Sequence, residues 1–254
     1  MEGQIMIERE TIEKLAKVWN AKPWQQEKHY LQSAILSQLG DFPLVFKGGT
    51  YLWFFHGLER FSEDLDFTLD GKFPADMNRK VSDGLKLLEI THTIKVTQDN
   101  PVGFSFRISA KGPLYKNENS LCHVYVEISK RENILDDTTA FEIINSNYLI
   151  PSTIIRGMSL QEVAAEKVRA IMSREKPRDV YDLAFLIKEK KILFDEKFIN
   201  HKMEYYNEKF DEKKFMKKLE QKRKDWKKEM NQIMLSKLPP FDDELTIIRK
   251  WVQP

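Results

Sequence analysis

Apolar residues at helical spacing mark the first forty residues of the chain. Over residues 8–40 the pattern repeats every three to four positions, with a break near Pro23. Its positions are Ile12, Leu15, Ala16 and Trp19 before the break, and Tyr30, Ala34, Ile35 and Gln38 after it. The pattern predicts two helices at the start of the chain.

Four short segments then carry the pattern of β-strands. Residues 42–46 are nearly all apolar, which suits a buried strand, although periodicity alone does not separate it from a helix fragment. Residues 61–69, 102–109 and 122–129 alternate between apolar and polar side chains. Such alternation predicts a mixed sheet with one buried face and one face turned to solvent or a cleft.

From residue 151 onward the period is helical. Ser159 and Glu162 have the spacing of a capping box, which predicts a helix running to about Ser173, and Pro177 lies near the start of the next helix. The predicted fold class is therefore α+β. N-terminal helices and a small mixed β-sheet core occupy residues 1–150, and a C-terminal helical bundle that completes the active-site cleft occupies residues 151–254.

Composition and charge exclude several classes of protein. With 254 residues, 41% of them hydrophobic, the chain can form a core, so intrinsic disorder is excluded. The 41 Lys and Arg residues nearly balance 39 Asp and Glu residues, which excludes a globally basic, histone-like protein. Cys122 is a single cysteine, and no apolar run reaches the roughly 20 residues of a membrane span. Because the first residues also lack the features of a signal peptide, we expect a soluble, cytoplasmic protein without a membrane partner.

Local charge is concentrated near the C-terminal end. Residues 202–237 contain 12 Lys or Arg against 7 Asp or Glu. Such a run is usually a solvated helical face, but it could also form a basic rim that contacts RNA phosphates.

The candidate chemistry lies in Lys47-Gly48-Gly49-Thr50, followed after 13 residues by Asp64-Leu65-Asp66. Two glycines at a strand-to-helix turn let a ligand approach the main chain, and a helix starting at Thr50 would favour a phosphate at its N-terminus. Asp64 and Asp66 are two apart on a predicted strand, so both carboxylates emerge on one face. Converging carboxylate oxygens suit Mg²⁺ or Mn²⁺ better than zinc.

Each half of this pattern has an ordinary structural explanation. A Gly-Gly pair is usually only a turn, and an acidic pair is usually a solvated strand face. Their occurrence together, in the order strand, turn, helix and strand, favours phosphoryl or nucleotidyl transfer. The pattern is not a Walker A loop, because Lys47 precedes the glycines.

At these residues the sequence resembles a known family. The segments 46–50 and 60–67 are similar to the signature of the abortive-infection (AbiEii/AbiGii-type) toxins, which belong to the polymerase-beta-like nucleotidyltransferase superfamily. The resemblance continues in segments 27–31, 165–170 and 174–183, and so covers roughly residues 25–190 in the right order.

The resemblance implies a role for each matching position. Asp64 and Asp66 would bind the metal ions, with Glu127 as candidate for a third carboxylate. Catalytic roles would fall to Asp64, Asp66, Lys167, Asp179 and Asp182. The nucleotide would be held by Lys47, Gly48, Gly49, Thr50, Arg60, Ser62, Lys167 and Arg178.

Several of these roles have structural alternatives. Lys167 could extend from a partly apolar helix face, and Arg178 could form a helix ion pair with Asp182. Arg60 and Ser62 could fix the loop before the acidic strand, and Glu127 could be merely exposed. The sequence does not decide which of Asp179 and Asp182 faces the site.

The resemblance implies a metal-dependent nucleotidyltransferase that acts as the toxin of a toxin–antitoxin pair. Its substrate would be a nucleoside triphosphate, its cofactor Mg²⁺ or Mn²⁺, and its protein partner a cognate antitoxin. Related toxins extend the 3′ end of tRNA, so tRNA or another RNA is the preferred acceptor. The alternatives are an enzyme that nucleotidylates protein and a catalytically silent nucleotide-binding regulatory module.

Overall fold

The apolar and alternating segments of the first half form one mixed β-sheet in the computed structural model, which describes residues 7–144 and 147–253. Within those residues the sheet has seven strands, in the order β3-β4-β5-β2-β1-β7-β6. The strands are β1 Leu44–Lys47, β2 Leu65–Leu69, β3 His92–Asn100, β4 Gly103–Ala110, β5 Cys122–Ser129, β6 Thr139–Ile143 and β7 Thr153–Gly157. The pairs β2–β5 and β1–β7 are parallel, and the remaining neighbours are antiparallel.

The chain divides into two units that are interleaved in sequence. Unit 1 comprises Met1–Tyr51, Phe61–Ile134 and Thr138–Gly157, and it contains the whole sheet. Its helices are α1 Arg9–Val18, α2 Pro23–Leu36, α4 Met77–Leu87 and the first residues of α3 Gly48–His56. Helix α2 packs against β5, and α4 packs against β3.

The two faces of the sheet differ in chemistry. On one face Phe46 stacks on Phe67 with ring centroids 5.0 Å apart, and both rings are buried together with Val126. On the other face the strand register places Lys47, Asp66 and Glu127 in one row across β1, β2 and β5. The apolar face holds the core of unit 1, and the polar face carries the predicted carboxylates.

Unit 2 is predominantly helical and comprises Leu52–Arg60, Leu135–Asp137 and Met158–Pro254. Its helices are the end of α3 and α5 Leu160–Ser173, α6 Arg178–Lys190, α7 Glu196–Glu204, α8 Glu212–Gln221, α9 Trp226–Ile233 and α10 Phe241–Val252. Helix α5 packs against α6, α7 and α8, and α10 packs against α6. Val168, Leu183, Phe215 and Ile248 are fully buried in its core.

The α+β class and most predicted elements are confirmed. The two N-terminal helices, the capped start of α5 and the helix after Pro177 occur as predicted; the Ser159 hydroxyl accepts from the Glu162 N–H. The prediction of helical structure from residue 151 onward is wrong for Thr153–Gly157, which forms β7 beside β1. This strand has only five residues, too few for its period to stand out from the helical pattern that follows.

None of the helices formed by residues 7–144 and 147–253 is both long and apolar enough to traverse a lipid bilayer. Residues 1–6, which were considered for signal-peptide features, lie outside the described part of the chain.

Candidate active site

The glycine turn lies directly against the carboxylate of Asp66. Strand β1 ends at Lys47, and α3 begins at Gly48, whose φ of 79° lies in the region that favours glycine. A Cβ added to Gly48 would lie 3.1 Å from both Cβ and Cγ of Asp66 and closer still to Oδ2. The absence of a side chain at this position therefore allows the turn to approach the carboxylate.

The acidic pair lies at the start of β2 and is tied to α3. Asp64 immediately precedes the strand and Asp66 lies within it, and both side chains are half-buried. The Thr50 hydroxyl donates to the main-chain oxygen of Asp64 at 2.5 Å. The structure therefore corrects the expectation that α3 starts at Thr50. The helix starts two residues earlier, and the hydroxyl fixes the acidic segment instead.

Glu127 lies beside Asp66 without completing a group of three. It is the register partner of Asp66 on the neighbouring parallel strand, and its side chain is exposed. Among residues 7–144 and 147–253, no three acidic, His or Cys side chains are gathered closely enough to hold a metal ion. Asp64 and Asp66 still fit Mg²⁺, which proteins commonly bind through one or two carboxylates, the remaining ligands being water and substrate phosphates.

Lys47 forms a buried ion pair beside this site. Its Nζ lies 3.1 Å from Oε2 of Glu132, and the two residues are 8% and 3% exposed. Lys47 is also the register partner of Asp66. Glu132 was missed by the sequence analysis, because it lies in a loop without periodicity, 85 positions from its partner.

The loop that contains Ser62 is held by one face of α2. Ser62 is 7% exposed, and its main-chain oxygen and that of Glu63 accept hydrogen bonds of 3.0 and 2.9 Å from the amide of Gln32. Lys28 pairs with Glu63 at 2.7 Å, and Trp24 contacts Phe61 edge-on. No direct signal in the sequence marks Gln32, although the matched segment 27–31 lies next to it.

Four of the predicted site residues, Arg60, Lys167, Asp179 and Asp182, form a buried ionic network in unit 2. The guanidinium of Arg60 donates two hydrogen bonds of 2.6 Å to Asp182. Lys167 lies 2.6 Å from Asp182 and 3.2 Å from Asp179, and Asp179 also binds Arg174 at 2.7 Å. Asp179 and Asp182 are fully buried, while Arg60 and Lys167 are 1% and 6% exposed. Both aspartates thus point into the same network.

This network keeps both carboxylates charged. Burial alone would raise the pKa of Asp179, but the charges of Lys167 and Arg174 hold it well below its usual range. Burial likewise opposes ionisation of Asp182, and Arg60 and Lys167 lower its pKa. Arg178 lies half-exposed at the start of α6. Asp182 is bound by Arg60 and Lys167, and not by Arg178 as in the helix ion pair considered from the sequence.

Comparison with protein families gives one match that spans most of the chain. The family model described as nucleotidyl transferase AbiEii toxin, type IV toxin–antitoxin system, matches residues 30–246. A search of curated proteins returned no match.

Solved structures share the fold at low sequence identity. A crystal structure of a candidate nucleotidyltransferase from H. pylori is 21% identical with a TM-score of 0.60, covering 90% of this chain and 93% of that one. The structure of JHP933 from Helicobacter pylori is also 21% identical, with a TM-score of 0.59 and coverages of 92% and 91%. MenT4, a nucleotidyltransferase toxin from Mycobacterium tuberculosis H37Rv, is 20% identical with a TM-score of 0.52 and coverages of 76% and 68%.

Proposed function

This chain belongs to the AbiEii family of nucleotidyltransferase toxins, and on that premise we propose that it uses a divalent metal ion to transfer a nucleotide to the 3′ end of tRNA. As a nucleotidyltransferase it takes a nucleoside triphosphate as substrate, and as a type IV toxin it has an antitoxin partner. The proposal adds the metal ion, the residues that act and the acceptor.

One observation carries the proposal: the carboxylate of Asp66 lies against the positive-φ turn at Gly48. Nucleotidyl transfer requires a place for the triphosphate next to carboxylates that hold a metal ion. The turn and the acidic strand supply these two requirements side by side.

The roles follow from the chemistry of each group. The main chain at Gly48 and Gly49 contacts the triphosphate, and Asp64 and Asp66 hold Mg²⁺ or Mn²⁺. When bound, the metal ion offsets the negative charge of the phosphate oxygens and assists the attacking hydroxyl. The acceptor oxygen forms a bond to the α-phosphorus, and the bond from that phosphorus to the pyrophosphate oxygen breaks.

The buried ion pairs favour positioning roles for part of the predicted set. Arg60 and Lys167 are almost fully buried against Asp179 and Asp182. Removing one member of such a pair leaves an uncompensated buried charge, which is strongly destabilising. We therefore assign these four residues to the stability of unit 2, and keep direct nucleotide contact for Gly48, Gly49 and the acidic pair.

The test is transfer of label from each α-³²P nucleoside triphosphate to total tRNA in the presence of Mg²⁺. Asp66→Asn should lower incorporation on the order of 100-fold or more, since the metal supplies several kcal/mol of charge stabilisation. The matched control is Asp70→Asn, directly after the other end of the same strand, where an exposed carboxylate pairs with Arg156 at 2.8 Å.

The Asp70 variant should transfer label at the wild-type rate. Equal incorporation by Asp66→Asn and wild type would contradict the metal assignment. Label in a protein band and not in tRNA would replace the RNA acceptor by a protein acceptor.

A further inference from the structure

The polar face of the sheet continues beyond the acidic pair onto β5, β4 and β3. The strand register aligns Tyr125 of β5 with Arg107 of β4, and Arg107 with Lys95 of β3. Register partners in neighbouring strands share a face, so these three side chains form a row. The row lies two residues along β5 from Glu127, about 7 Å away at the usual rise of a strand.

This row is open and chemically unusual for a sheet surface. Tyr125 is 37% exposed, Lys95 is exposed and Arg107 is half-exposed. Lys95 and Arg107 lie directly opposite each other, and like charges in that relation destabilise a sheet. In addition, Nε of Arg107 is buried and has no hydrogen-bond partner among the described residues, so the protein does not fully satisfy this guanidinium. An anion between the two cations would relieve their repulsion.

The charge of Arg107 also acts on a neighbouring side chain. The pKa of His123, two residues from Tyr125 on the same face, is lowered by burial and then by the charges of Arg107 and Lys28. Cations next to an exposed aromatic ring are the features with which proteins bind single-stranded nucleic acid, through phosphate contacts and base stacking.

The position of the row relative to the glycine turn favours the acceptor over the nucleoside triphosphate. The turn follows β1, Asp66 lies on β2, and Tyr125 and Arg107 lie beyond it on β5 and β4. In phosphoryl transfer the attacking and leaving oxygens are roughly in line. If the pyrophosphate leaves on the β1 side, the acceptor must therefore approach from the β5 side. Arg107 is two strand spacings across the sheet from Asp66 and two residues further along, or about 12 Å away, which is within reach of a phosphate near the strand end.

We propose that this face binds the single-stranded 3′ end of an RNA acceptor, with a base stacked on Tyr125 and a backbone phosphate between Arg107 and Lys95. The inference rests on the proposed transfer to RNA and adds the surface that receives the strand.

The test measures binding separately from transfer. Fluorescence anisotropy of a 5′-labelled, eight-nucleotide single-stranded RNA with a free 3′ hydroxyl is followed with the full chain, without nucleoside triphosphate or metal. Tyr125→Ala should weaken binding about 5- to 150-fold, while Tyr125→Phe, which keeps the ring, should bind like wild type. The logarithm of the association constant falls as the logarithm of the salt concentration rises, and Arg107→Ala should make this negative slope shallower by about 0.7.

Two controls remove a ring and a cation elsewhere in unit 1. Tyr115→Ala removes a half-buried ring that lies against Lys111, and Lys86→Ala removes an exposed cation of α4. Both should bind RNA like wild type. Unchanged thermal unfolding of all variants would show that a loss of binding is local.

The outcomes separate this inference from the proposed function. Loss of RNA binding in Tyr125→Ala supports it, whether or not the wild type transfers nucleotide. Wild-type binding by Tyr125→Ala and Arg107→Ala overturns it, even if transfer to tRNA is observed. A raised KM for the nucleoside triphosphate with unchanged RNA binding also overturns it, because the ring would then hold the substrate base. The inference would also be overturned if the chain binds no RNA and labels a protein, and if that labelling is lost in Tyr125→Ala.

Discussion

At the scale of single residues, Gly48 offers the sharpest test of the site. Gly48→Ala should destabilise the chain by more than the roughly 1–2 kcal/mol of a left-handed non-glycine residue, because its Cβ would also collide with Asp66. It should abolish transfer by displacing that carboxylate. Gly57 is the matched control, since it has the same φ of 79° but nothing within 4 Å of an added Cβ.

Urea unfolding and nucleotide incorporation of the two variants give the comparison. Gly57→Ala should show the conformational cost alone, with transfer preserved. Equal losses of stability and activity in both variants would contradict the predicted collision between a Cβ at position 48 and the side chain of Asp66.

Glu244 should make stability depend on pH. This carboxyl is 7% exposed, and burial raises its pKa from 4.5 to about 7, with Asp243 adding to the shift and Lys188 opposing it. Between these values the folded chain keeps a proton that the unfolded chain has released, so rising pH favours unfolding, and the effect levels off above about pH 7. Between pH 4 and pH 8, the free energy of unfolding of Glu244→Gln should therefore rise by about 2–3 kcal/mol relative to that of wild type.

Urea unfolding at the two pH values measures this gain. Glu196→Gln, at an exposed position in the first turn of α7, is the control and should show no such gain. If the free energies of unfolding of Glu244→Gln and wild type differed by the same amount at both pH values, the raised pKa of Glu244 would be refuted.

A site residue could be predicted from the sequence when its partners lie close to it along the chain. Gly48, Asp64 and Asp66 stand within one short segment, so their spacing alone indicated a site. Gln32 acts on a loop 31 positions away, and Glu132 pairs with Lys47 across 85 positions. No local pattern records such pairings, because they arise only when the strands assemble.

At the scale of elements, helix α2 acts as a support for the acidic segment. Trp24, Lys28 and Gln32 are spaced four residues apart, so they share one face of the helix. This face contacts the loop at Phe61 and Glu63, immediately before Asp64.

Gln32→Leu tests that support. It leaves the main-chain oxygens of Ser62 and Glu63 without their donor, which should cost about 1–3 kcal/mol and loosen the loop. Hydrogen exchange of the main-chain amides of residues 61–66 should accelerate. The fold decrease in kcat for transfer should exceed the fold change in KM for the nucleoside triphosphate. Gln161→Leu, which also removes an amide-to-carbonyl bond, is the control and should leave both unchanged. Unaltered exchange in Gln32→Leu would rule out the support.

Elements were predicted where their pattern was long or pure. The alternation of β4 and β5 runs over eight residues each, and α5 begins with a capping signal. Strands β6 and β7 have five residues each. Strand β3 is exposed on both faces over most of its length, and only Ile94 and Val96 alternate with polar residues there. The order of the strands could not be predicted, because pairing of β7 with β1 joins segments about 110 residues apart.

At the scale of the whole molecule, the excess of basic residues in 202–237 overstates the charge that reaches solvent. Lys202 is 1% exposed and pairs with Glu162 and Glu166. Lys222 is equally buried, donating to the main-chain oxygen of Arg174 and pairing with Glu175. Part of the charge run therefore stabilises unit 2, which a count of charges along the sequence could not reveal.

The interleaving of the units predicts that the first 157 residues do not fold alone. A chain ending at Gly157 would retain Arg60 but lose Asp182, which binds its guanidinium, and Leu235, whose N–H donates to Glu59. We expect this fragment to be aggregated or lack cooperative thermal unfolding by circular dichroism. A chain shortened only by its last two residues is the control and should unfold like the full chain. A soluble, cooperatively unfolding fragment would contradict the prediction.

The same interleaving constrains how the gene for this chain can recombine with a related gene. A crossover after the codon for residue 157 exchanges only the C-terminal helices, but unit 2 also contains Leu52–Arg60 and Leu135–Asp137, which are encoded upstream. The hybrid would combine Arg60 of one parent with the Asp182 environment of the other. Viable chimeras should therefore be those in which the upstream segments and the 3′ end of the gene descend from the same parent.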